Sequence, residues 1–192
     1  ERIHGAVSLG GAEGAVLASA AMRELPLGMP KTIVSPIASG RRSFGPFVGT
    51  SDIAVVHSVV DICGLNAIAR QVFDTAAASV AGGAISYERA KQGSSGRPRR
   101  RQVAATMLGN TTAPVAWIRG RFESGSGDLV IFHANGVGGA ALEQQIEAGW
   151  IDGVIDYTLS ELIANVAGGF HDAGSNRLEA AGRRGIPQIV VP

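Results

Sequence analysis

The sequence holds a single cysteine, Cys63, among 192 residues. No disulfide can form within the chain, and a reducing, cytoplasmic setting is the expectation. In VVDICGLN that thiol reads as a small buried hydrophobe. Charge of either sign is scarce: 17 Lys and Arg balance 16 Asp and Glu, for a net charge of +1. Such a balance gives no field that would predict a nucleic-acid or membrane partner. No apolar run reaches the roughly 20 residues that span a bilayer, and no signal-peptide pattern opens the chain. The four histidines are scattered without metal-ligand spacing, and neither a GxSxG elbow nor an HExxH pair occurs.

Glycine is abundant, with 27 residues, in a chain that is 45% hydrophobic. The glycines end apolar runs, so they read as turns of a globular fold. IHGAVSL, KTIVSPI and SDIAVVHSVV read as strands, with a helix from about residue 15 to 24 after the first. A second, alanine-rich helix follows from 65 to about 91, weakened or bent at Gly82-Gly83. QGSSGRPRRR, residues 92–101, is polar and reads as a solvated linker. It separates a module at 1–91 from one at 102–192. In the second module VAATML, DLVIFH, GVIDY and IPQIVV read as strands. Helices are expected at 112–123, 140–148 and 160–166 between them. Alternating helices and nearly all-apolar strands predict α/β architecture: two Rossmann-like parallel-sheet modules with a ligand cleft between them. The first module has few strands, so the chain reads as an excerpt of a longer protein. Apolar strand edges left uncovered would then favour a homo-oligomer.

Parallel sheets bind ligands where strands run into helices. Three such turns stand out. SLGGAEGAVL, with Gly10 and Gly11, offers free amides and a helix N-terminus to an anion, although Glu13 would repel phosphate; the alternative is a tight turn. ASGRRSFGPFVGTSD carries Ser39, Gly40, Arg41, Arg42, Gly49, Thr50, Ser51 and Asp52. These could bind phosphate or carboxylate, or form an exposed loop tip. FHANGVGG places His133 at a strand end before Asn135, Gly136, Gly138 and Gly139. His133 is an acid–base or ligand-contact candidate, or a half-buried histidine bonded to backbone. Asn110-Thr111-Thr112 is a helix entry that could also present amides to an anion. Thr158-Leu159-Ser160-Glu161 matches a capping box, with Asp156 just before it at a strand end.

The runs SPIASGRRSFGPFVGTSDIAVVHSVVDICGLNAIAR, FHANGVGGAALEQQIEAGWIDGVIDYTLSEL and GGFHDAGSNRLEAAGRRGIPQIV together resemble an uncharacterised family. It comprises bacterial, fungal and plant proteins related to the tomato protein that confers tobamovirus resistance. The GTSD pattern matches residues 49–52 intact and HANGxGG matches 133–139 intact. GGSGG becomes GGAEG at 10–14, and TTxE matches 158–161 with leucine at its second position. The resemblance implies an ATP-binding, two-part α/β domain. In that picture Gly10, Gly11, Ser39, Gly40, Arg41 and Gly49 to Asp52 line one side of a nucleotide site. Asn110, His133, Asn135, Gly136 and Gly138 line the other, ATP being held with or without Mg2+. Asp52 would hold a hydroxyl, such as that of ribose. The competing expectation is an enzyme acting on a small carboxylated or phosphorylated metabolite. There His133 would be the general base and Arg41 or Arg42 the carboxylate clamp.

Overall fold

The computed structural model describes residues 3–38, 45–94, 99–125 and 127–192. The chain forms two compact units, Glu1–Arg97 and Pro98–Pro192. Each contains a wholly parallel sheet, as the alternation of apolar strands and helices requires.

In the first unit β1 (Ala6–Leu9), β2 (Lys31–Ser35) and β3 (Ala54–His57) lie in the order β1-β2-β3. Helices α1 (Ala12–Arg23) and α2 (Gly45–Val48) are the crossovers. With both steps in one direction, right-handed connections place them on the same face. There Ala15, Met22, Ile33 and Ile53 form the core, with Phe47 and Val48 packed against it. Helix α3 (Ala67–Ser94) packs against β1 and β2. Its Val72, Thr75 and Ala76 share a groove with Thr32 and Val56, the alternate side chains of the strands. All five residues of β2 are therefore buried.

Gly82-Gly83 do not interrupt α3, which is a single 28-residue helix. Gly83 serves packing instead: a Cβ there would lie 2.8 Å from Cβ of Pro30. The helix axis can approach the start of β2 only over a residue without a side chain. Cys63 is exposed, not buried, because it sits in the irregular segment between β3 and α3.

In the second unit β4 (Arg101–Met107), β5 (Gly127–His133), β6 (Gly153–Asp156) and β7 (Gln188–Val190) run in the order β5-β4-β6-β7. Their helices are α4 (Thr112–Glu123), α5 (Val137–Glu147), α6 (Ser160–Ala167) and α7 (Ala180–Arg184). The core on the α5–α7 face contains Ala104, Leu142, Ile146, Ile151, Val154, Ala180 and Ala181. Burying side chains the size of Leu142 or Ile146 stabilises by roughly 1.5–3 kcal/mol each. The α4 crossover lies on the opposite face and closes over β4 and β5 with its buried Val115.

The basic run ahead of β4 is anchored. Arg99 Nη1 donates to both carboxylate oxygens of Asp152 at 2.7 and 3.0 Å, and Arg100 pairs with Asp128 at 3.2 Å. Helix α3 extends through Ser94 and β4 starts at Arg101, so residues 95–100 lie between them. No helix among the described residues is long and apolar enough to cross a membrane.

Candidate functional site

In the second unit the chain leaves β4 through α4 to β5 on one side. It then crosses back through α5 to β6 on the other. The turns after β4 and β6 therefore diverge at their carboxyl ends. A crevice at such a switch point is where open parallel sheets take ligands. A 3-10 turn, Gly109–Thr111, leads from β4 into α4 and exposes Gly109 and Asn110. Thr111 Oγ1 accepts from the Leu108 amide at 2.9 Å and lies 2.7 Å from Thr158 Oγ1. That hydroxyl pair joins the two diverging turns. Thr106, fully buried in β4, completes the cluster: its Oγ1 accepts from the Thr158 amide at 3.0 Å.

The glycine turn after β5 has a different structure from an open phosphate cradle. The amides of Gly136 and Gly139 donate to Glu161 Oε1 at 2.7 and 2.9 Å. A carboxylate of the chain itself thus occupies the positive N-terminal end of α5. The glycines are required by contact. A Cβ on Gly138 would lie 1.8 Å from the His133 carbonyl oxygen, and one on Gly139 would lie 2.1 Å from Glu161 Oε2. Gly136 has φ +95°, a conformation that suits glycine. Asn135 Oδ1 accepts from the Gly138 amide at 3.2 Å, and the His133 side chain at the end of β5 is exposed.

Glu161 is held in turn by a buried guanidinium. Arg177 Nε donates to Glu161 Oε2 at 2.9 Å, its Nη1 to Glu143 at 3.2 Å and its Nη2 to Asp156. All four side chains are at most 8% exposed. One cation faces three carboxylates, and helix N-termini supply the remaining positive potential. Glu143 accepts from the amides of Leu178 and Ala180 at 2.8 Å each, at the start of α7. Gln188 donates to Asp156 Oδ2 at 2.8 Å. Burial disfavours the charge on Arg177, but its bonds to Asp156 and Glu161 and their charges prevail and raise its pKa. Among the described residues no buried side-chain nitrogen or oxygen lacks a partner.

The capping-box expectation at 158–161 is corrected by this arrangement. Leu159, not Thr158, is the N-cap of α6, and no side chain caps it. Thr158 and Glu161 are instead drawn into tertiary bonds. Asp156 faces Arg177 rather than an open crevice.

The first unit separates two groups that the sequence suggested together. Gly10 and Gly11 follow β1 at the carboxyl edge, where the Gly10 amide donates to the Val34 carbonyl at 3.1 Å. Gly49 to Asp52 precede β3, at the amino edge. By the strand register, Gly10 lies beside Ser35 and Asp52 beside Pro30. About five strand residues, or roughly 16 Å, separate them along the sheet. Asp52 Oδ1 pairs with the fully buried Lys31 ammonium at 2.5 Å, and Oδ2 accepts from the Gly28 amide at 2.8 Å. Lys31 also donates to the Pro26 and Met29 carbonyls at 2.9 and 3.0 Å. Burial raises the Asp52 pKa, but the Lys31 bond, the Gly28 amide and the Lys31 charge outweigh it and hold it below the usual carboxylate range. Gly49 takes φ +58°, and the Ser51 amide donates to the Val48 carbonyl. Thr50 is also engaged. Ser39, Gly40, Arg41 and Arg42 lie outside the described residues.

Two family models match the chain. The Uncharacterised protein family (UPF0261) N-terminal domain covers residues 1–89, and its C-terminal domain covers residues 100–192. The chain belongs to the UPF0261 family. A UPF0261 protein of Clostridium tetani is 42% identical over 192 residues, all of this chain and 46% of that protein. One of Rhizobium meliloti is 36% identical over 187 residues, 97% of this chain and 45% of the relative. The tomato (Solanum lycopersicum) ToMV resistance protein Tm-1 is 37% identical over 190 residues, 99% of this chain and 25% of that protein. The ToMV susceptible protein tm-1 of tomato matches with the same identity and length. Similarity over this stretch therefore does not separate resistance from susceptibility. The chain spans less than half the length of these UPF0261 relatives, whose family name carries no activity.

Among the described residues no group of three or more His, Cys, Asp or Glu side chains is placed to hold a metal ion. The residues of the cluster that the sequence did not single out, Glu143, Thr106 and Arg177, are all buried. A buried charge has no periodic signature, and only SNRLEAAGRRG, rich in charge next to an apolar strand, hinted at it.

Proposed function

We propose that this chain is a nucleotide-binding part of a UPF0261 protein, with ATP as the ligand. The crevice at the carboxyl ends of β4 and β6 is the seat of binding in the second unit. The observation that carries this reading is the switch point itself. The exposed 3-10 turn at Gly109–Thr111 opens α4 there, opposite the turn bearing Thr158. Asn110 and the amides at this helix entry are the phosphate contacts, and His133 and Asn135 flank them at the end of β5. Gly136 and Gly139 contribute shape rather than amides, since those amides hold Glu161. In the first unit Gly10 and Gly11 stand at the carboxyl edge and are candidate contacts, whereas Asp52 is committed to Lys31. We further propose that the intact protein is a homo-oligomer and acts in the cytoplasm.

Calorimetric titration of the intact protein with ATP, ADP and inorganic phosphate, with and without magnesium, tests the reading. Micromolar ATP binding that weakens about tenfold in Asn110→Ala supports it. Absence of heat with every nucleotide sinks it. The second reading is an enzyme acting on a small carboxylated or phosphorylated metabolite with His133 as general base. The exposed position of His133 at a strand's carboxyl end favours it. His133→Ala would then abolish turnover while leaving ligand affinity near the wild-type value.

A further inference from the structure

Resting on the ligand reading above, we propose that His171 is a specificity-determining residue of the second unit. Its Nε2 accepts a hydrogen bond from a ligand hydroxyl, that of ribose when the ligand is a nucleotide. The sequence left His171 isolated, but the fold lays it on the glycine turn after β5. Its Nδ1 lies 3.4 Å from the Asn135 carbonyl oxygen. A Cβ on Gly136 would lie 2.7 Å from the Asp172 carbonyl oxygen, so the backbones of the two segments touch.

The Asn135 contact favours one tautomer of the ring. A carbonyl can only accept, so Nδ1 carries the proton in that bond, and in the neutral ring Nε2 keeps the lone pair. The exposed Phe170 meets the imidazole edge-on, with ring centroids 5.4 Å apart and planes at 76°. The segment is pinned beyond it. The Asp172 carboxylate accepts from the Gly174 amide at 2.7 Å and from Asn165 at 2.9 Å, and the buried Arg177 follows. The other histidines differ: His4 contacts Glu88, and His57 borders the groove beneath α3. His133 is exposed on its strand end. His171 alone combines a half-exposed ring at the carboxyl edge of this sheet with a fixed donor side. With Nδ1 as the donor side, Nε2 is the acceptor side, so the ligand group it selects is a donor.

The test compares ATP, 2′,3′-dideoxy-ATP and inorganic tripolyphosphate on the intact wild-type protein and on His171→Phe. The phenyl ring keeps the edge contact with Phe170 and removes the acceptor. His171→Phe is expected to weaken ATP about fivefold to tenfold, the range of one lost hydrogen bond, and to leave tripolyphosphate unchanged. The wild type should bind the dideoxy nucleotide as weakly as the variant binds ATP. Equal loss for ATP and tripolyphosphate, or no loss, overturns the assignment. Wild-type protein that binds neither removes the ligand reading and this assignment with it. Nitrogen-15 spectra of wild-type His171 give an answer even if the variant does not fold: a proton on Nε2 instead of Nδ1 overturns the proposal.

Discussion

At the scale of single residues, the second unit is organised around one guanidinium. A buried pair contributes little net stability when complete, because desolvation of the ions offsets their attraction. Removing one partner is costly, because the others stay buried without compensation. Arg177→Met is expected to destabilise the second unit by about 3–5 kcal/mol, read from urea unfolding. Loss of less than about 1 kcal/mol would mean that the helix N-termini already neutralise the three carboxylates.

Asp52 gives a pH-dependent case in the first unit. Its pKa is lower in the folded chain than in the unfolded one, so its contribution is present above the unfolded value of about 3.8. That contribution fades as pH falls through the lower folded value. Asp52→Asn should lower the melting temperature at pH 7, and the gap from wild type should narrow below about pH 4. A gap independent of pH between 2.5 and 7 would show that the Lys31 pairing contributes nothing through charge.

Among elements, α3 separates propensity from packing. Gly82 and Gly83 are neighbours in sequence with opposite surroundings. A Cβ at 82 meets nothing within 4 Å, whereas one at 83 meets Pro30 at 2.8 Å. Gly82→Ala should stabilise by about 0.5–1 kcal/mol through helix propensity alone. Gly83→Ala should destabilise by about 1–3 kcal/mol through overpacking, both measured by thermal unfolding. Similar effects at the two positions would contradict the close approach of α3 to Pro30.

The element sequence was largely legible, since period-2 and period-3.6 patterns and turn glycines mark it locally. Helix α4 falls on the residues expected. Helices α1 and α5 begin earlier than glycine content suggested, at Ala12 and Val137. In α5 the first-turn glycines 138 and 139 leave no room for a Cβ, whereas a Cβ at Gly14 in α1 would meet nothing within 4 Å. The five-residue α7 was missed because so short a helix has no period to read.

For the whole molecule, each unit has its own core, Ala15, Met22, Ile33 and Ile53 in one and Leu142, Ile146 and Val154 in the other. Both tryptophans, Trp117 and Trp150, belong to the second unit. Tryptophan fluorescence therefore reports that unit, while far-ultraviolet dichroism reports both. Arg177→Met should move the fluorescence transition to lower denaturant and split it from part of the dichroism transition. Coincident transitions in the variant would mean that the two units unfold as one.

The architecture of two parallel α/β modules, and the family, could be read along the chain. Apolar alternation, turn chemistry and motif order are local or linear properties that survive without coordinates. The tertiary structure decided what each motif does. It filled the glycine turn at 136–139 with Glu161 and tied Thr158 to Thr111. It sent Gly10 and Asp52 to opposite edges of one sheet, and it laid His171 against Asn135. The reason is physical: a buried charge must find partners wherever the fold brings donors, and those donors come from segments far apart in the chain. Spacing along the sequence carries no record of that choice.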